Sequence, residues 1–387
     1  MIIFSSTVFI IHKLEVVKAV PEYATQPVTN ICQGKATWMS SPRTAVRGDY
    51  WVLYNYFKAT KEFECFESIT YVSQGEYQYL DNLWPVLQRW QGPMSIAVFA
   101  PGSDFTQVVN SIQYYRNCFN YSQSIVELVT FHIFYPVDHK PRDLNPDDFD
   151  CDNFHLNTKE QSYRITHHLD YPVNVARMVA RESATTHYVY TSDIELYPSP
   201  NLVPNFLQMV KRIGVLQKTV FVTPIFEIKA NTELPASKAD LKRMLKDKTA
   251  IIFHQNFCEA CHKVPHYQDW LEANISDTHL SILTKAKRRG MWEPIYIGTN
   301  QDPAYDERLS WEGRSDKMVQ GFILCLLDYD FAILDNAFLI HRPGIKTRTE
   351  NVKATPSGKV IKQKHLIKTK IVPELNLVYG NRDGCHI

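Results

Sequence analysis

The sequence predicts an α/β domain built on a mixed, mostly parallel sheet flanked by helices. Compact apolar runs of strand length recur at Ser95–Phe99, Val126–Phe134 and His187–Thr191. Segments with apolar residues at helical spacing, Phe105–Cys118 and Asn174–Glu182, alternate with them. Strands that alternate with helices of this length belong to βαβ units, which build parallel sheets.

The elements follow in chain order. The opening run MIIFSSTVFII, ahead of His12 and Lys13, is too short to span a bilayer, which takes about 20 residues. It reads either as the remnant of a signal anchor or as a first strand or disordered end. Residues 14–45 carry Pro21, Pro27 and Pro42 and read as a stem. Asp49–Phe57 alternates loosely like a strand. Ser95–Phe99 closes on Ala100-Pro101-Gly102, the exit turn of a buried strand. His187–Thr191 runs straight into Ser192-Asp193-Ile194-Glu195, and Val220–Val222 and Ile251–His254 are further strands. After about residue 347 lysines crowd the chain (Lys353, Lys359, Lys362, Lys364, Lys368, Lys370), which predicts a solvated tail. The expected division is therefore an anchor remnant and stem at 1–46, a catalytic domain at 47–350 and a basic C-terminal tail at 351–387.

With 42 basic against 41 acidic residues, the chain lacks the charge excess that draws proteins to nucleic acid, so no nucleic-acid partner is expected. Eight cysteines (Cys32, Cys65, Cys118, Cys151, Cys258, Cys261, Cys325, Cys385) form an even set, which alone does not establish disulfides. Asn120 and Asn274 begin N-x-[ST] sequons, candidate glycosylation sites in a secretory protein.

Four segments carry chemistry. Asp193-x-Glu195 follows an apolar strand, where ligands of open α/β sheets bind, and two such acids suit a hard cation that bridges to phosphate. His341-Arg342-Pro343-Gly344-Ile345-Lys346 offers an imidazole ligand, a glycine that allows close backbone approach and a cation for a diphosphate. Tyr305-Asp306-Glu307-Arg308, followed by Glu312, offers a carboxylate base for an attacking hydroxyl and an arginine to hold an acid. Cys258-x-x-Cys261-His262 reads as a c-type haem attachment, a zinc site with His254 and His266, a loop disulfide or two free thiols.

Taken together, these segments resemble the family of beta-1,4-glucuronyltransferase 1 and of the C-terminal domain of the LARGE xylosyl- and glucuronyltransferases. The similar stretches are Arg89–Pro93 leading into Ser95–Phe99, Tyr171–Arg177, Thr191–Pro198, Pro224–Ile228, Cys258–His262 with Tyr267 and Trp270, Glu293-Pro294 through Tyr305–Arg308, and Phe338–His341. They cover roughly residues 47–346. The resemblance implies a GT-A type nucleotide-diphospho-sugar transferase fold and an inverting transfer of glucuronic acid from UDP-glucuronate to a xylose-terminated O-mannosyl glycan on a glycoprotein. It also implies Mn²⁺, with Mg²⁺ as the alternative, a type II Golgi membrane topology with a lumenal catalytic domain, and association with other Golgi glycosyltransferases.

By position, Asp193, Glu195 and His341 are the implied metal ligands. Arg177, Ser192, Gly344 and Lys346 are the implied donor contacts, Tyr305 and Arg308 the acceptor contacts, and Asp306, with Glu307 beside it, the base. The cysteine loop matches the family too, which argues against haem. Two departures matter: the membrane anchor that the resemblance implies reads as missing or truncated, and Glu195 stands where the family has aspartate, one methylene longer. That leaves two rivals, a catalytically weak or inactive binding protein on the same fold and an enzyme using another UDP-sugar.

Overall fold

The computed structural model describes residues 41–144, 149–152, 154, 161–345 and 357–387. In chain order its strands are β1 (Arg43–Arg47), β2 (Tyr50–Phe57), β3 (Ile69–Gly75), β4 (Met94–Phe99), β5 (Val129–Pro136), β6 (Tyr188–Thr191), β7 (Leu196–Pro198), β8 (Thr219–Thr223), β9 (Ile225–Ile228), β10 (Ala250–Ile252), β11 (Ile282–Ala286), β12 (Ile295–Thr299), β13 (Asp330–Leu334) and β14 (Leu339–His341). Ten form one sheet in the order β1-β2-β5-β4-β3-β6-β12-β8-β13-β11, and four form a second, β10-β9-β14-β7. In the large sheet β1, β3, β4, β5, β6, β8 and β13 point one way; β2, β11 and β12 point the other. This is the expected α/β fold on a mixed, mostly parallel sheet: a parallel half, an antiparallel strand inserted beyond it, and a small second sheet.

The central strands are buried on both faces because helices cover both faces, the usual state of parallel strands. Every residue of β3 and of β4 is buried. Their alternate residues serve different layers, as a period of two requires. Tyr71, Ile96 and Val98 pack with the helices Leu83–Trp90 and Asp104–Gln113. Val72, Ala97 and Phe99 pack with Val173, Ala176 and Val179 of the helix Val173–Glu182. The second sheet packs Phe226, Ile228 and Ile340 against Trp270, Leu324 and Ile333.

Three expectations are corrected. Residues 43–46, assigned to the stem, form with Arg47 an edge strand in register with β2. Val126–Leu128 finishes the helix Ser122–Leu128 rather than starting β5. His254 leaves β10 and takes a left-handed conformation (φ 59°) ahead of the helix Gln255–His262.

The C-terminal segment also differs from a solvated tail. Residues 357–379 are helical, and Ile367 and Ile371 are buried against Leu309, Val319 and Ile323. Gln363 accepts from the Ser310 N–H (2.9 Å) and donates to the Ser310 and Arg314 carbonyls (3.0 and 2.6 Å). Cys325 and Cys385 form a disulfide. Lys359, Lys362, Lys364, Lys368 and Lys370 lie on helix whose other side is committed to the core, so charge density alone misread these residues; Lys353 lies outside the described residues.

Disulfides also join Cys118 to Cys151 and Cys258 to Cys261, and Cys65 is disulfide-bonded as well. Among the described residues no helix is long and apolar enough to cross a membrane; the N-terminal run lies outside those residues.

Candidate active site

The site gathers beyond the carboxyl ends of β3 and β6. Ser192 continues the parallel pairing by donating its N–H to the Val72 carbonyl (2.9 Å), and its own carbonyl accepts from Ser73 Oγ (2.9 Å). The chain then turns, closed by the Leu196 N–H on the Asp193 carbonyl (2.9 Å), and Tyr71 holds the turn by donating its hydroxyl to the Leu196 carbonyl (2.7 Å). Ser192 is thereby locked in the interior, 1% exposed, and is not a surface contact for a donor.

Asp193 is caged by cations. Its Oδ1 accepts from Arg177 Nη2 (3.0 Å) and from Gln74 Nε2 (3.4 Å), and its Oδ2 accepts from Lys317 Nζ (2.7 Å). Burial alone would raise its pKa, but the charges and hydrogen bonds of Lys317 and Arg177 win, and the carboxyl is held far below the usual range. Arg177 is fully buried: burial disfavours its charge, yet Asp316 and Asp193 hold it firmly ionised. It bonds Asp316 and Asn174 Oδ1 (2.8 Å), and its guanidinium lies over the Tyr305 ring. Arg177, expected to reach the nucleotide, is therefore spent on positioning Asp193.

Glu195 and His341 meet through the backbone. β7 and β14 pair with His341 opposite Leu196, and the Arg342 N–H donates to the Glu195 carbonyl (2.7 Å). The His341 ring stacks on Phe253 with its Nδ1 2.9 Å from the Arg342 carbonyl. The expected three-ligand set is not assembled. Among the described residues no group of three His, Cys, Asp or Glu side chains is placed to hold a metal ion. The physical reason is that Asp193 has both oxygens committed to cations, whereas Glu195, in the turn ahead of β7, and His341, on β14 opposite Leu196, stand one residue out of register with each other. A cavity of about 460 Å³, within the range of ligand pockets, opens beside them between Asp81, Asn82, Tyr197, Asn231 and Arg342. Gly344 holds φ +139° with open space where a Cβ would stand, so its backbone can approach a ligand. Lys346 lies outside the described residues.

The acidic pair expected to supply the base is engaged elsewhere. Asp306 accepts from the N–H and Nε of Arg308 (3.1 and 2.9 Å) and from its Nη2 (2.6 Å), and Arg308 also reaches Glu374 of the C-terminal helix. Glu307 binds Arg47 of β1 (2.8 Å), which also binds Glu182. Glu312 accepts from Arg164 (2.9 Å) and from the Tyr171 N–H (3.0 Å). Each is half of a tie between segments. Tyr305 is buried beneath Arg177, so neither it nor Arg308 is placed as a free acceptor contact. Asn120 and Asn274 are both exposed, as glycan carriers must be.

Four residues without an assigned role enter the site: Lys317, Asp316, His262 and Glu293. Lys317 and Asp316 sit at the start of the apolar helix Met318–Leu326, and only the abrupt change from charge to apolar residues marks them in the sequence. Burial, then the charge of Lys317, pushes the His262 imidazole down to about 4, so it is neutral at physiological pH. With Cys258 and Cys261 joined to each other, the cysteine loop has no thiolates for haem or zinc, and the disulfide reading holds.

The profile of a glycosyltransferase family described as glycosyl-transferase for dystroglycan matches residues 68–380, and the chain belongs to that family. The protein is a glycosyltransferase of glucuronyltransferase-like type. It is 29% identical to beta-1,4-glucuronyltransferase 1 of Danio rerio over 285 residues, 70% of this chain and 65% of that protein. Against beta-1,4-glucuronyltransferase 1 of Homo sapiens it is 25% identical over 350 residues, 86% of this chain and 80% of that protein. Xylosyl- and glucuronyltransferase LARGE1 of Homo sapiens is 24% identical over 76% of this chain, which spans only 33% of that longer protein. Among solved structures, S. aureus TarS in complex with UDP aligns over 80% of this chain and 74% of its own at 10% identity, with a TM-score of 0.32.

Proposed function

We propose that the chain transfers glucuronic acid from UDP-glucuronate to a xylose-terminated glycan of the O-mannosyl type on a glycoprotein, with inversion at the anomeric carbon. The observation that carries the reading is Asp193, held ionised by Arg177 and Lys317 beyond β3 and β6, in a chain of the dystroglycan glycosyltransferase family. Arg177 and Lys317 fix the turn that presents Glu195, and Glu195 and His341, one residue apart in the register of β7 and β14, are the oxygen and imidazole that would hold Mn²⁺ or Mg²⁺. Such an ion would supply positive charge against the leaving diphosphate. The chain's own part is to bring donor and acceptor together beside the 460 Å³ cavity and to take up the acceptor proton.

Disulfides and two exposed sequons support a lumenal site in the secretory pathway, a Golgi setting in this reading. The test is a screen of UDP-sugars against simple xylosides, with Mn²⁺, Mg²⁺ or EDTA. UDP-glucuronate-dependent product supports the proposal, whereas product from a different UDP-sugar alone replaces the donor assignment. Complete absence of UDP release favours the binding-protein reading, for which the longer Glu195 side chain is the specific observation.

A further inference from the structure

We infer that Glu293 is the general base of the transfer reaction, presented to the acceptor by the disulfide loop Cys258–Cys261 and by His262. The inference rests on the transferase reading above and assigns one of its roles to a different residue. β12 runs antiparallel to β6 with Ile297 opposite Tyr190, so the residues just ahead of β12, Glu293 among them, lie toward the end of β6 that leads into Ser192–Glu195. The same strand meets the end of β8, with Ile295 opposite Thr223. Glu293 thus lies at the carboxyl edge of the sheet, beside the Asp193 cage.

Its backbone is held on both sides. Its N–H donates to the Cys261 carbonyl (2.8 Å), and its carbonyl lies 3.3 Å from His262 Nδ1, which donates to it in the neutral ring. The side chain contrasts with the other acids of the region. Asp193, Glu307 and Glu312 are each bonded to arginine or lysine, and Asp306 to Arg308. No hydrogen bond or ion pair to the Glu293 carboxylate is made among the described residues. The charged groups that act on it are Asp316 and Lys317 at the start of the helix Met318–Leu326, Arg177 on the helix Val173–Glu182, and Arg288 ahead of β12. Burial first, then the charge of Asp316, pushes its carboxyl up to about 7 against the pull of the three cations. A carboxylate poised there takes a proton well near neutral pH.

The step balances. The acceptor hydroxyl oxygen forms a bond to the anomeric carbon as its proton passes to a Glu293 carboxylate oxygen. The bond from that carbon to the β-phosphate oxygen breaks, and its electron pair leaves with UDP. Solvent then removes the proton from Glu293.

The experiment compares the full-length wild type with Glu293→Gln and Glu293→Asp. UDP binding is read by calorimetry, folding by melting temperature, and transfer by product formation across pH. For Glu293→Gln the expected result is unchanged UDP affinity, an unlowered melting temperature and kcat reduced by ~10²–10⁴. The rise of kcat/KM with pH, midpoint about 7 in the wild type, should vanish. Glu293→Asp keeps a carboxylate, so it should retain the rise at reduced kcat; this arm decides if the glutamine variant does not fold. Glu293→Gln transferring at the wild-type rate with its pH rise intact overturns the assignment alone. A wild type that neither binds UDP nor transfers any sugar overturns the transferase reading and this one with it.

Discussion

Lys317 Nζ stands 2.7 Å from Asp193 Oδ2 although 124 residues separate them in the chain. The acid closes β6 and the lysine opens the helix Met318–Leu326, so the contact joins the two halves of the sheet at its ligand-facing edge. Because Asp193 is held ionised, this contact has a defined pH signature. A carboxyl lowered by folding contributes stability above its ordinary value of 3.8 and loses it as pH falls below that value. Lys317→Met should therefore destabilise the protein at neutral pH, and the gap to wild type should close as pH drops below about 4. Urea unfolding over this range reads it; a gap that widens on acidification would contradict the cage.

Arg177→Lys is not a conservative change at this site. One ammonium cannot serve Asp193, Asp316 and Asn174 in the geometry of a planar fork. One buried acid is left unpaired, at a cost of about 3–5 kcal/mol. The melting temperature and transfer rate should fall together. A variant that melts like wild type yet fails to transfer would instead return Arg177 to direct donor contact.

Glu195 and His341 are expected to act as a pair toward a divalent ion. Glu195→Gln or His341→Ala should raise the Mn²⁺ concentration for half-maximal transfer by about tenfold or more, each tenfold being roughly 1.4 kcal/mol of affinity. Asp193→Asn should impair transfer without that shift. Activity indifferent to EDTA in the wild type removes the metal from the account.

Ile371 is fully buried against the helix Met318–Leu326 and the loop at Leu309. Ile371→Ala should cost about 2–5 kcal/mol, read as a lowered unfolding midpoint. A loss well under that range would mean that the C-terminal helix is not part of the cooperative unit.

Much of this architecture is visible in the sequence because it rests on local signals. Ser95–Phe99 and Tyr188–Thr191 are apolar, short and closed by turn residues, so their place in a parallel sheet follows from period and length. β3 escapes the same reading: Ile69–Gly75 mixes Thr, Ser and Gln into a strand that is buried throughout, and its polar side chains are satisfied by Thr186, Ser192 and Tyr171. The site is visible only in its first half. Asp193-x-Glu195 stands out because it ends an apolar strand, but which acid faces a cation depends on Arg177 and Lys317, contacts that no local pattern encodes. Asp306 drew attention as part of an acidic pair, yet Arg308 two residues on neutralises it. Glu293 is an isolated acid between Trp292 and Pro294 ahead of a strand, and its setting comes from strand pairing and the cysteine loop.

The strand order carries a lesson about assembly. β6 and β8 share no backbone pairing and meet only through side chains such as Tyr190 and Thr223; β12, made about seventy residues after β8, is the ribbon that zips them together. Until Ile295–Thr299 leaves the ribosome, β6 has an open flank of hydrogen-bonding backbone and β8 has neither of its partners, so these flanks are ready to recruit a neighbour. A chain cut short before β12 keeps those flanks exposed and is prone to clump during synthesis rather than fold as a smaller stable domain.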